Sequence, residues 1–151
     1  MMNLTGVFAL FGFPEDKDDK WDKQQKELED FKESAYFKIG MFKKLIRNGT
    51  SFKKQVVKFL SSSDDKLDIK GIDEAGDYMM FTRAYFWIED CKFRSKEWKE
   101  AFYNHSDEEF IKFIKLSINY FEVSEEYEKC AHLKKVQNLI EKNLKVLNKE
   151  K

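Results

Sequence analysis

Residues 77–93, DYMMFTRAYFWIEDCKF, decide the fold class. Between Tyr78 and Ile88 only Thr82 and Arg83 are clearly polar. At 3.6 residues per turn, Met80, Ala84, Trp87 and Cys91 share one side, and Phe81, Tyr85 and Ile88 share the adjoining side. A helix apolar nearly all round belongs at the centre of a bundle, where other elements cover it. The stretch is long for a strand and ordinary for a helix. A buried central helix over about 77–93 is therefore the expectation.

Just before it, Leu67, Ile69 and Ile72 alternate in LDIKGI, which reads as a short extended segment at 67–72. The run SSSDD at 61–65 is the strongest loop signal in the chain. Further back, Pro14 is a good first helical residue, and Glu15, Asp16, Asp18 and Asp19 suit a helix N-terminus. Trp21, Leu28, Phe31, Ala35, Phe42 and Leu45 then recur at helical spacing. One long amphipathic helix to about Arg47 is expected, stopped by Asn48-Gly49, with Gly40 marking a bend or a close helix contact. Thr50 or Ser51 would cap a second helix carrying Phe52, Val56, Phe59 and Leu60.

After the central stretch, Ser95 caps a short helix bearing Trp98 and Phe102 that ends near Asn104-His105. Ser106 and Glu109 have the spacing of a capping box, followed by Phe110, Phe113, Ile114, Ser117, Ile118 and Phe121. Ser124 opens the last helix, whose stripe is Tyr127, Cys130, Leu133, Val136, Ile140, Leu144 and Leu147. The reading is all-α: a compact bundle of five or six helices, one domain over residues 1–151.

Composition agrees. Fifteen Phe, six Tyr and three Trp supply enough apolar area for a core that leans on neither disulfides nor metal. One Pro and six Gly suit long helices with short connections. Charged side chains are 37% of the chain, but 28 basic and 28 acidic residues cancel, as on a charge-laced helical surface. Cys91 and Cys130 have no metal spacing and read as reduced thiols of a cytoplasmic protein. The apolar run LTGVFALFGF at 4–13 has no preceding positive charge and no cleavage site, and is too short to span a bilayer. Residues 1–13 read instead as an apolar arm, laid on the core or inserted into a partner or a second copy.

Residues 110–142 contain IKFIKLSINYFEVSEEYEKCAHLKKVQNLIEK. Glu126, Tyr127, Glu128, Lys129, Cys130, Ala131, Leu133 and Lys134 stand in an acidic-aromatic-acidic-Lys-small-Ala-x-Leu-basic order. This segment resembles a UVR-type helical hairpin, with Lys135 in place of the family's usual acid and Gln137 in place of its usual large aliphatic. The resemblance implies two antiparallel helices around a turn and contact with a partner protein. It implies no catalysis.

Catalytic chemistry finds no foothold. No Gly-rich phosphate loop and no Gly-x-Ser-x-Gly setting is present. Cys130 and His132 are two apart, which suits neither one helical face nor a zinc pair, and His105 and His132 read as structural or surface residues. Glu89-Asp90 reads as a solvated helix turn or a partner for Arg83, Lys92 or Arg94. No cofactor, metal or catalytic residue is expected.

The charge is nonetheless unevenly laid out. Lys38, Lys43, Lys44, Arg47, Lys53, Lys54 and Lys58 crowd one segment, interleaved with Phe37, Phe42, Phe52 and Phe59. Such a pattern can grip phosphates and stack on bases, or simply mark solvated and core faces of two helices. Acidic stretches at 15–30, 64–77 and 122–128 flank it, giving a polar surface that would steer a charged partner. The expected function is a non-enzymatic protein binder, an adaptor or stoichiometric inhibitor. The Lys-, Phe- and Asn-rich composition, of the kind AT-rich genomes and their phages encode, adds one version: a mobile-element antagonist of a host nucleic-acid enzyme, such as an anti-CRISPR inhibitor. The partner would be a protein or a nucleoprotein complex. The alternative is an RNA- or DNA-binding protein that uses residues 38–58.

Overall fold

A computed structural model describes residues 15–61 and 69–150. The apolar run at 4–13, Pro14, most of the loop at 61–65 and Leu67 lie outside the described residues. Six helices follow one another among these residues: α1 (Glu15–Lys32), α2 (Ala35–Ser61), α3 (Ile69–Ile88), α4 (Lys96–His105), α5 (Glu108–Val123) and α6 (Tyr127–Lys149). The described residues contain no strand. The chain is an all-α bundle, as its periodicity requires.

The core is built from halves of helices. Ala35, Ile39, Phe42 and Ile46 of α2 face Phe81, Ala84, Tyr85 and Ile88 of α3. Trp98, Ala101 and Phe102 of α4 close one end. The most buried helix is α5, with Phe110, Ile111, Phe113, Ile114, Ser117, Ile118 and Phe121 inside. Cys130, Leu133, Val136 and Ile140 of α6 complete the cluster. Aromatic rings run through it: Phe42 and Phe102 both meet Phe110, Phe81 stacks on Tyr120 at 4.8 Å, and Tyr85 meets Phe121 edge-on at 5.5 Å. Offset and edge-on pairs of this kind contribute about 0.5–1.5 kcal/mol each beyond the area they bury.

Several boundaries differ from the expected ones, each for a physical reason. The long helix at 14–47 breaks at Glu33-Ser34. Ser34 Oγ accepts the Phe37 amide, and the Ala35 amide donates at 3.0 Å to the carboxylate of Glu97, far along the chain. A cap supplied by α4 is invisible to local periodicity. Nor does Asn48-Gly49 stop α2, which continues to Ser61, so Thr50 and Ser51 are interior residues rather than caps. Gly49 serves close packing instead: a Cβ there would stand 2.5 Å from Met80 Sδ. Gly40 faces the His105 ring, where a Cβ would make an ordinary 3.5 Å contact. The extended segment expected at 67–72 is helical from Ile69 onward, the first turn of α3. The central helix accordingly runs Ile69–Ile88 rather than 77–93, and Cys91 and Phe93 belong to the turn into α4.

Two caps move by a residue or more. Asp107, not Ser106, caps α5, its Oδ1 taking the Phe110 amide at 2.7 Å. Ser106 ends α4, with its Oγ donating to the Phe102 carbonyl. Ser124 ends α5 rather than opening α6. There the Glu126 amide donates to the Phe121 carbonyl and the Glu125 amide to the Glu122 carbonyl, which is a Schellman turn. Glu125 holds φ 61, a left-handed conformation that glycine adopts freely and L-residues at a cost of about 1–2 kcal/mol. Glu125→Gly should therefore raise unfolding free energy by about 1 kcal/mol in urea denaturation at unchanged slope. No gain would mean that the Glu125 side chain compensates for the strain.

Candidate functional site

The seven basic residues singled out between 38 and 58 all lie on α2, but they do not act as one surface. At 100° per residue, Lys43, Arg47, Lys54 and Lys58 share a face, Lys38 and Lys53 lie elsewhere, and Lys44 points between them. Lys43 is only 7% exposed. Its Nζ donates to the His105 carbonyl at 3.2 Å and to Asp107 Oδ2 at 2.8 Å. One ammonium thus satisfies the C-terminal end of α4 and the N-cap carboxylate of α5, with the Phe110 ring 5.5 Å away. Arg47 pairs with Glu109, the residue expected to close the capping box. Lys53 bridges Asp77 at 2.6 Å and Asp73 at 3.0 Å. Burial opposes its charge, but the two carboxylates hold its pKa above the ordinary value. Lys38 is half-buried, and Lys44, Lys54 and Lys58 are exposed.

Burial would raise the pKa of Asp107, but hydrogen bonds from Lys43 and the Phe110 amide outweigh it and hold the carboxyl below the usual range. A carboxyl lowered in the fold lends stability above its unfolded value, near 3.9, and loses it as pH falls through the folded value. Lys43→Met should cost about 2 kcal/mol at pH 7, the scale of charge-assisted hydrogen bonds. The gap between wild type and variant should narrow once the pH drops below about 4. Denaturation at pH 7 and at pH 3 checks this, and an unchanged gap would deny Asp107 its part.

The closest approach of a thiol to an imidazole is Cys91 Sγ to His132 Nε2, 3.3 Å. The sequence does not bring this pair together, because the two residues are 41 positions apart. It lacks the character of a nucleophile and its base. His132 Nε2 also lies 3.0 Å from the Ile88 carbonyl, so the tautomer that donates there has no lone pair facing the thiol. Burial, helped by Asp90, pushes the Cys91 thiol up to about 12, and reactivity belongs to the thiolate. His132 reinforces the end of α3, where the Ile88 carbonyl also accepts the Cys91 amide at 3.2 Å. His105 is structural as well: its Nε2 lies 2.8 Å from the Tyr36 carbonyl and its ring stacks on Tyr36. Burial holds its pKa below the ordinary value despite the pull of that carbonyl. Cys91 and Cys130 are both free thiols. No group of three His, Cys, Asp or Glu that could hold a metal occurs among the described residues.

The feature that stands out lies between α2 and α3. Lys53 with Asp73 and Asp77, Gly49 with Met80, and Phe37 with Trp87 show the two helices running antiparallel. Beyond Ile46 no described side chain of α2 is buried, and none of α3 is buried before Phe81. A groove of about 560 Å³ opens between these halves, floored by Leu45, Gly49, Phe52, Val56, Met79 and Met80. Ile72, Gly76, Met79 and Arg83 line it from α3 at i, i+4, i+7 and i+11, and Phe86 continues the spacing. Phe52 and Phe86 are each 67% exposed, Met79 50% and Ile72 41%. Large apolar side chains contiguous at this exposure are characteristic of a binding surface.

No family model, curated protein or solved structure matches the chain.

The sequence did contain a signal for the groove. The all-round apolarity of 77–93 exceeds what the core takes up, since Phe81, Ala84, Tyr85 and Ile88 turn inward while Met79 and Phe86 do not. Gly76 is the other sign. It sits inside α3, where glycine costs about 1 kcal/mol relative to alanine, yet an added Cβ would meet none of the described residues within 4 Å. Gly76→Ala should therefore raise stability by about 1 kcal/mol, while Gly49→Ala, forced against Met80, should lower it. Thermal melts of the two variants check the contrast, and equal shifts would refute the packing assigned to Gly49.

Proposed function

We propose that the chain is a non-enzymatic protein binder, an adaptor or stoichiometric inhibitor, and that the α2–α3 groove is its recognition surface. The observation that carries the reading is the exposed apolar stripe of Phe52, Ile72, Met79 and Phe86, on helices whose core residues lie in their other halves or on other faces. Helices that present such a face accept an apolar segment from another protein. A mobile-element antagonist of a host nucleic-acid enzyme, anti-CRISPR-like in action, is one form this activity takes; the composition supports it and the groove is compatible with it. The α5–α6 pair is the segment that resembles a UVR-type hairpin. Val123 and Tyr127 stand exposed at its turn beside Glu122, Glu125 and Glu128, a second surface open to a protein. No helix among the described residues is long and apolar enough to cross a membrane.

Binding of RNA or DNA through residues 38–58 is the rival. Ion pairs engage Lys43, Arg47 and Lys53, which leaves Lys44, Lys54 and Lys58 as its exposed cations on α2. A tagged pull-down from the native host, with half the sample treated with nuclease, separates the two. A protein that stays bound after nuclease, and is lost from a Phe52→Glu/Met79→Glu variant, supports the groove. If all retained material disappears with nuclease and binding falls steeply with salt, the rival is correct.

A further inference from the structure

We propose that the occupant of the α2–α3 groove is an amphipathic helix of a partner protein that carries a carboxylate in its apolar stripe, set to meet Arg83. The proposal rests on the protein-binding reading above and names the chemistry of the partner.

Charge is the first ground. Arg83 lies toward the Phe86 end of the stripe, one turn from Met79 on one side and three residues from Phe86 on the other. It is exposed, and among the described residues no carboxylate pairs with it. The acids Asp73 and Asp77 share Lys53 toward the Ile72 end of the groove, which leaves Arg83 as a cation without a carboxylate toward the Phe86 end. A guanidinium between apolar side chains is poorly matched to a wholly apolar ligand, which would strip its water and return no hydrogen bond. A carboxylate matches its fork in charge and in geometry.

Shape is the second ground. The stripe from Ile72 to Phe86 spans about 21 Å, roughly four turns of a docked helix, at 1.5 Å per residue. Gly76 leaves open space in the wall of the groove, and nothing among the described residues fills it. A glycine so placed lets another backbone approach more closely than any side chain allows. Gly49 has the same property but spends it inside the molecule, on Met80. Of the two, Gly76 faces outward.

Two synthetic helical peptides test the inference on the full chain. Both are about 18 residues long with leucines at i, i+3, i+4 and i+7, one with Glu and the other with Lys at the stripe position that would face Arg83. Fluorescence anisotropy should show the Glu peptide binding about tenfold more tightly, and Arg83→Glu should invert the preference. Gly76→Leu should weaken both peptides while leaving the helical circular dichroism and melting temperature no lower than wild type, because the new side chain occupies open space. Equal affinity for the two peptides, unaffected by Arg83→Glu, would overturn the carboxylate and leave the groove as a protein site. Failure of both peptides to bind would overturn the helical occupant, and the nuclease-split pull-down would then decide the broader reading alone. If the chain sediments as a dimer that Gly76→Leu dissociates, the occupant is a second copy and the proposal fails.

Discussion

The Lys43 ammonium joins three helices at one point. It reaches from α2 to the last carbonyl of α4 and to the carboxylate that begins α5, so the turn at Ser106-Asp107 is fixed from outside itself. A helix end must find partners for its orphan groups, and here a single donor serves the end of one helix and the cap of the next. Asp107 divides its two oxygens accordingly, one for the ammonium and one for the Phe110 amide. Phe110 is then delivered into the core, where it meets both Phe42 and Phe102. The deep burial of α5 follows from that corner.

The same logic recurs at the other junctions. Glu97 of α4 holds the first amide of α2, and His132 of α6 holds the last carbonyl of α3. Each of these contacts links segments more than forty positions apart. The bundle is thus closed by polar side chains at its corners and by aromatic rings through its middle. No buried side-chain nitrogen or oxygen among the described residues lacks a hydrogen-bond partner. In an interior of low dielectric, that completeness is what makes a polar corner stabilising rather than costly.

What the sequence shows and what it hides follow from this division. Helical periodicity reports which face of a segment is apolar, and the stripes of α5 and α6 are buried as it indicates from Phe110 to Phe121 and from Cys130 to Ile140. It does not report what ends a helix when the ending group comes from elsewhere. The break before Ala35 and the passage of α2 through Asn48-Gly49 could not be seen, because Glu97 and Met80 decide them. Lys43, Arg47 and Lys53 looked like a cationic patch for the same reason: their carboxylates lie on α5 and α3. The apolar excess of 77–93 was legible, but periodicity cannot separate an apolar face that meets the core from one that meets solvent. The groove emerges only when Phe52 and Met79 are placed side by side in space.

Helix α2 carries two jobs along one unbroken backbone. Its first half, to Ile46, is held by the core, and its second half, from Gly49, borders the groove and is tied to α3 by Gly49 against Met80 and by Lys53 with Asp73 and Asp77. The division bears on how the chain can change over generations. Substitutions before Gly49 are filtered by folding, and most would be lost. Substitutions at exposed positions after it, such as Phe52, leave the bundle standing and alter the shape of the groove. A lineage can therefore reshape the groove by drift in about three and a half turns of helix, without passing through an unfolded ancestor.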